Sequence, residues 1–468
     1  MRAIAAILGI AVRLAAQQMS PLVGDVVDEH GTPVTDAVVV VWRGEGRGFN
    51  CLDLDYADSW RQLARTPVDR SGHFGLQLPI GLALRVEVEH EGHARWRRDD
   101  LAPGEQLRIE LERPRTFRGR LVRQSTGNGT PGFLRARDAD DHTELFRGRT
   151  DAEGFFEFAR LPARAFVCDV APDEAASTEW LGRWDGDVLE HVFVLADGAV
   201  LSGMVFDSGT GKPIDGARVG DSWTMHKAVT TGADGRYVLR GHGGKARPEV
   251  YARAAGFVGR TVNQWTRSGT ATLDFALLRG TRVAGVVVDE AGRPLRDVYV
   301  AVVAIRAANT WLSVRTDGLG AFALEGCQPD VPGALLLRRD GCATAVFELP
   351  PQGAGRTLDL GPLTMLAPKC VRGVLVDDNG KPVVGAFVRL CGTNDDRERF
   401  AHHDGDWRLL SLCVGQRTVR TDGSGAFGFG DVAPGKYSIA LGLADGPTLA
   451  AIGIAAKDDP APLRLVSR

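Results

Sequence analysis

Around residue 24 apolar side chains fall on every second position with a glycine between them. Leu22, Gly24 and Val26 share one face, the period-two pattern of a half-buried strand. The phrase returns four times, as Phe117/Gly119/Leu121, Leu201/Gly203/Val205, Val283/Gly285/Val287 and Val371/Gly373/Leu375. A glycine inside a strand has no side chain to pack, so here it predicts the close approach of another strand or side chain. Each phrase runs into a Gly-x-Pro turn, at Gly31-Thr32-Pro33, Gly129-Thr130-Pro131, Gly211-Lys212-Pro213, Gly292-Arg293-Pro294 and Gly380-Lys381-Pro382. Asp28, Asp207, Asp289 and Asp377 come before the turn in four of the copies. A second alternating run follows, as in Ala37/Val39/Val41 and Val298/Val300/Val302. Each copy therefore opens with a β-hairpin.

Further along, every copy carries a tight turn that feeds an aromatic residue into a strand. Gly72 is followed two residues on by Phe74, Gly154 by Phe156, Gly235 by Tyr237, Gly320 by Phe322 and Gly425 by Phe427. An Asp stands three residues before that glycine in four copies: Asp69, Asp151, Asp317 and Asp422. Such a turn places the aromatic in the core. The five anchor glycines lie 95, 84, 82 and 88 residues apart, a spacing that suits whole small domains rather than solenoid repeats. With six or seven short strands per copy and no helical period, the prediction is all-β: five tandem Ig-like or prealbumin-like β-sandwiches in an elongated array. The units are expected at 21–112, 116–196, 198–280, 281–367 and 369–468, joined by short connections.

Composition agrees. A chain of 468 residues is too long for one core, and 58 glycines and 23 prolines supply many turns. A net charge of −3 gives no basic field for nucleic acid. Met1-Arg2, an apolar run from Ala3 to Val12 and small residues at Ala15 and Ala16 resemble a secretory signal over 1–20. The run is too short to span a bilayer, so the expected location is secreted, periplasmic or cell-surface, without a membrane span.

The Gly-x-Val/Leu-x-Asp phrase, the Gly-x-Pro turn, the Thr-Asp-x-x-Gly-x-Phe turn (Thr316-Asp317, Thr421-Asp422) and Pro434-Gly435-Lys436-Tyr437 together resemble the carboxypeptidase regulatory-like domain. That family has a prealbumin-like sandwich, similar to starch-binding-like and collagen-adhesin B-type modules. The second copy departs most, with Arg123 where the Asp stands elsewhere and a longer turn at Gly127-Asn128-Gly129. The resemblance implies accessory modules without catalytic residues of their own. No histidine begins a His-x-x-Glu spacing, the zinc site that a carboxypeptidase needs, so the chain is read as no enzyme, with no cofactor and no metal.

Two insertions carry the remaining chemistry. The first copy holds Asp53, Asp55 and Trp60, and the fifth holds His403, Asp404 and Trp407. An indole stacks on a sugar face while carboxylates take its hydroxyls, and long loops on a rigid scaffold are where binding resides. The expected role is a non-catalytic structural or adhesive protein whose partner is a cell-surface polysaccharide or protein. The alternatives are a carbohydrate-binding protein using these residues, or an accessory subunit of a separate peptidase or secretion system. Seven cysteines leave two candidate disulfides for an exported chain, Cys391–Cys413 and Cys327–Cys342.

Overall fold

The structure is a computed structural model. It describes residues 19–44, 60–79, 84–101, 106–140, 143–221, 228–243, 249–264, 266, 268–304, 311–339, 341–392, 417–442, 448–454 and 461–466. Among them there is no α-helix. In the first unit β1 (Met19–Asp28), β2 (Val38–Gly44), β3 (Trp60–Pro67), β4 (His73–Pro79), β5 (Leu84–Glu89), β6 (Trp96–Leu101) and β7 (Gln106–Leu111) form two sheets. One has the order β4-β1-β7 and the other β3-β2-β5-β6. β1 runs antiparallel to β4 and parallel to β7. The same pair of sheets is built in all five units, each around its own apolar cluster. The chain is a tandem set of β-sandwiches.

The register explains why the two sequence phrases travel together. The anchor glycine lies directly opposite the aromatic residue in every unit: Gly24 opposite Phe74, Gly119 opposite Phe156, Gly203 opposite Tyr237, Gly285 opposite Phe322 and Gly373 opposite Phe427. The ring lies over the bare backbone. A Cβ built on Gly24 would stand 2.9 Å from the Phe74 ring and 2.6 Å from the Leu107 carbonyl oxygen of the parallel strand. The turn glycine is fixed by a different need. Gly72, Gly154, Gly235, Gly320 and Gly425 have φ of 71–84°, where glycine alone is unstrained. Their carbonyls accept from the first strand at Val26, Leu121, Val205, Val287 and Leu375.

The aspartates close the turns as acceptors. Asp289 Oδ1 takes the amides of Ala291 and Arg293, both at 2.9 Å, and Asp317 Oδ1 takes those of Leu319 and Ala321 at 2.8 and 2.9 Å. The buried Thr316 beside it bridges two segments. Its hydroxyl donates to Leu295 O at 2.6 Å and accepts from Val298 N at 2.9 Å. Thr231 and Thr421 repeat the arrangement. Thr316→Val should therefore cost the fourth sandwich about 1–3 kcal/mol, because two backbone groups lose their partner. An unchanged melting transition for that unit would refute this.

The second unit's turn follows its departure from the repeat, and one sequence expectation is corrected. In four units the turn proline bridges the first strand: Pro33 with Val27, Pro213 with Phe206, Pro294 with Val288 and Pro382 with Val376. In the second unit the residue opposite Val122 is Gly129, not Pro131, and the left-handed glycine is Gly127, with φ 68°. The turn is thus Gly127-Asn128-Gly129, two residues before the Gly-x-Pro look-alike. The correction concerns Cys327 and Cys342, which are thiols with no bridge between them. Cys327 ends the strand Ala321–Cys327 of one sheet. The chain then crosses in the strand Gly333–Arg338 of the other sheet before reaching Cys342. That six-residue strand separates the two thiols by about 20 Å of extended chain, against the roughly 5.5 Å between Cα atoms that a disulfide requires. Cys413 lies outside the described residues, and of Cys391 only the backbone is described, in the strand Phe387–Gly392.

Candidate functional site

Of the sequence-predicted binding residues only Trp60 is described; Asp53, Asp55, His403, Asp404 and Trp407 lie outside the described residues. Trp60 opens β3 and is half-buried, on the four-stranded sheet of the first unit. Alternation along β2 sends Val39 and Val41 into the core. A register shift between Val41 and Trp42 places Trp42 beside Gln62 and Arg85. Across the sheet Val40 is paired with Arg65 and Glu87, and Glu87 with Arg97.

These residues contact one another. The Arg85 guanidinium lies 3.9 Å over the centre of the Trp60 ring, a cation–π contact. Arg85 also donates to both Asp99 oxygens, at 2.7 and 3.0 Å. Arg97 donates to the same carboxylate, 3.1 Å to each oxygen, and stands 3.9 Å from Glu87. The Trp42 indole N–H donates to Glu87 Oε2 at 3.1 Å. Burial pushes the Asp99 carboxyl up, but the hydrogen bonds and charges of Arg85 and Arg97 outweigh it and hold the group below its ordinary value. Two guanidiniums thus meet two carboxylates, and one face of the Trp60 ring is already covered.

The set continues into the second unit. Arg97 donates to the Glu144 carbonyl at 3.4 Å, and the Glu144 carboxylate takes Arg135 at 2.8 Å and Arg147 at 2.5 and 2.6 Å. Glu112, between the units, accepts the Ala163 amide at 2.7 Å. What the arrangement does chemically is fix one sandwich to the next. The Arg-x-Glu and Arg-x-Asp alternations at Arg85/Glu87 and Arg97/Asp99 are its sequence signal, which a search for indoles and acids in the loops passes over. Elsewhere in the first unit, His90 and His93 meet through their Nδ1 atoms at 2.8 Å. Burial first, and then the neighbouring His90, lowers the His93 pKa, so His93 resists protonation. Among the described residues no group of three or more His, Cys, Asp or Glu side chains is arranged to hold a metal ion, and no helix is long and apolar enough to cross a membrane.

The chain matches no protein-family model and no curated protein. Among solved structures it is similar to a streptococcal ancillary pilin, with 15% identity over 55% of this chain and 99% of that one, at a TM-score of 0.19. It is similar also to BcpA, the major pilin subunit of Bacillus cereus, with 9% identity over 76% and 99% and a TM-score of 0.16. GBS52, the minor pilin of Streptococcus agalactiae, has 12% identity over 40% and 97% and a TM-score of 0.22. Likenesses at these scores carry no argument about function.

Proposed function

We propose that this chain is a non-catalytic structural protein, an exported stalk of carboxypeptidase regulatory-like sandwiches that spaces or presents something at the cell surface. The observation that carries the reading is the economy of its connections. Three residues separate Leu111 from Arg115, Leu195 from Ala199 and Leu277 from Thr281, and four separate Thr364 from Lys369. Connections this short hold neighbouring units close and fix their orientation. A surface protein or polysaccharide is the fitting partner. The carbohydrate-binding alternative loses support at Trp60, whose ring Arg85 covers.

Small-angle scattering of the full chain tests the proposal. A compact chain of this length has a radius of gyration of about 23 Å. Five sandwiches stacked end to end, each about 25 Å along its strands, give about 36 Å. A value near that of the compact chain would overturn the stalk.

A further inference from the structure

The junctions between consecutive sandwiches are made from the same backbone parts. In each of the first four units the loop between the fifth and sixth strands turns one buried amide onto the carbonyl just past the last strand. Ala94 N donates to Glu112 O at 2.9 Å, Ala176 N to Ala196 O at 2.7 Å, Val258 N to Leu278 O at 2.9 Å and Ala343 N to Leu366 O at 2.9 Å. The loop thereby grips the connection that leads into the next unit. At three of these junctions the residue on one side or the other of that amide also reaches the next unit. Arg95 N donates to Arg160 O at 3.0 Å. Ala175 lies against Gly241, where a Cβ would stand 2.6 Å from the Ala175 N and O. The backbone of Phe257 lies against Gly326 in the same way.

The three receiving residues occupy one position, six after the turn glycine of the fourth strand (Gly154, Gly235 and Gly320). All three are left-handed: Arg160 with φ 59°, Gly241 with 68° and Gly326 with 81°. There the ladder to the first strand slips, between Phe158 and Leu161, Ala199 and Leu201, and Thr281 and Val283. The fifth unit keeps the slip, between Lys369 and Val371. In the first unit β4 pairs with β1 from Pro79 to His73 without any slip. A bulge of this kind takes a residue out of the ladder and turns its backbone groups outward. A left-handed arginine is kept only where the surroundings impose it.

We propose that this bulged residue is the docking element by which a sandwich receives the loop of the sandwich before it, so that its partner is another unit of the same kind and the coupling runs through backbone. The inference rests on the stalk reading for its purpose. Its test reads the contact itself, so a failed contact with an elongated particle would sink the docking element and leave the stalk standing.

The test is residue-resolved hydrogen exchange on the full chain, read at the Arg95 amide. In the unmodified protein that amide should be as protected as the strand amides of β5. Arg160→Val puts a β-branched residue at a left-handed φ and should speed Arg95 exchange about tenfold, while the Leu121 and Leu134 amides of the second sandwich keep their rates. Arg160→Gly takes the same φ without strain and should leave Arg95 protected. Rapid exchange at Arg95 in the unmodified protein would overturn the proposal. So would unchanged exchange there in Arg160→Val with the second sandwich intact. If Arg160→Val unfolds that sandwich, seen as lost protection at Leu121 and Leu134, the unmodified protein decides alone.

Discussion

Gly119→Ala should unfold the second sandwich, while Gly285→Ala, at the same position two units later, should cost the fourth less than about 1 kcal/mol. The two glycines share a role and differ in what surrounds them. A Cβ on Gly119 would collide with the His191 carbonyl of the parallel strand and reach within 2.9 Å of the Phe156 ring. The ladder there runs unbroken from Val188 to Leu195, so the carbonyl is held by its neighbours and cannot yield. Around Gly285 the parallel strand slips between Ala284 and Val286. The nearest atoms to a Cβ, the Gly361 oxygen and the Phe322 ring, then stand 3.1 Å away. A few tenths of an ångström of give from the Phe322 ring and the slipped strand suffice there, whereas overpacking against fixed backbone exceeds the usual 1–3 kcal/mol. Thermal unfolding of the full chain, with each unit followed by hydrogen exchange, separates the cases. Equal costs at the two sites would show that the parallel strand does not set the tolerance.

This contrast marks how far the sequence carries. The anchor glycine and the aromatic were both legible as phrases, because period-two alternation and a left-handed turn leave strong marks on residue choice. That they lie opposite one another was not, since register across 33 to 53 intervening residues leaves no mark at either site. The second unit's longer turn was legible too, since Gly127-Asn128-Gly129 is turn chemistry and Gly127 supplies the positive φ, although Gly129-Thr130-Pro131 imitates the Gly-x-Pro of the other copies. The junction loops were missed because they rest on small residues. Gly92-His93-Ala94, Gly256-Phe257-Val258 and Gly341-Cys342-Ala343 form a repeated Gly-x-small phrase with no hydrophobic period. That phrase puts Cys342 beside a junction amide and away from Cys327. At Trp60 the sequence offered an indole near acids. The described group over its ring is Arg85 of β5, itself paired with Asp99 of β6, while Asp53 and Asp55 lie outside the described residues.

Phe117→Ala should be the most damaging single truncation in the second core, at about 3–5 kcal/mol. The other units place Leu22, Leu201, Val283 or Val371 here, and the second unit answers its larger ring with an aromatic nest. Fully buried, Phe117 has ring centroids 4.9 Å from Phe156, 5.3 Å from Phe166 and 5.8 Å from Phe146, and it stacks on Trp180 at 5.6 Å. Trp180 in turn stacks on His191 at 4.3 Å. Burial lowers the His191 pKa, so the unfolded chain takes up that proton first. The resulting stability is whole above about pH 6.5 and is lost as the pH falls below it. Removing the Phe117 ring leaves a cavity under Trp180, loosens the stack and lets water reach His191. Exchange at Leu121 and Leu134 should then rise on the order of a hundredfold or more at pH 7, and the acid-side loss of stability should shrink. Phe117→Leu, which installs the residue of the first and third units, should cost less than the alanine variant while still leaving part of the nest empty. A Phe117→Ala protein whose second sandwich exchanges at the unmodified rate, with its pH dependence intact, would mean that Trp180 and the other rings close the core without it.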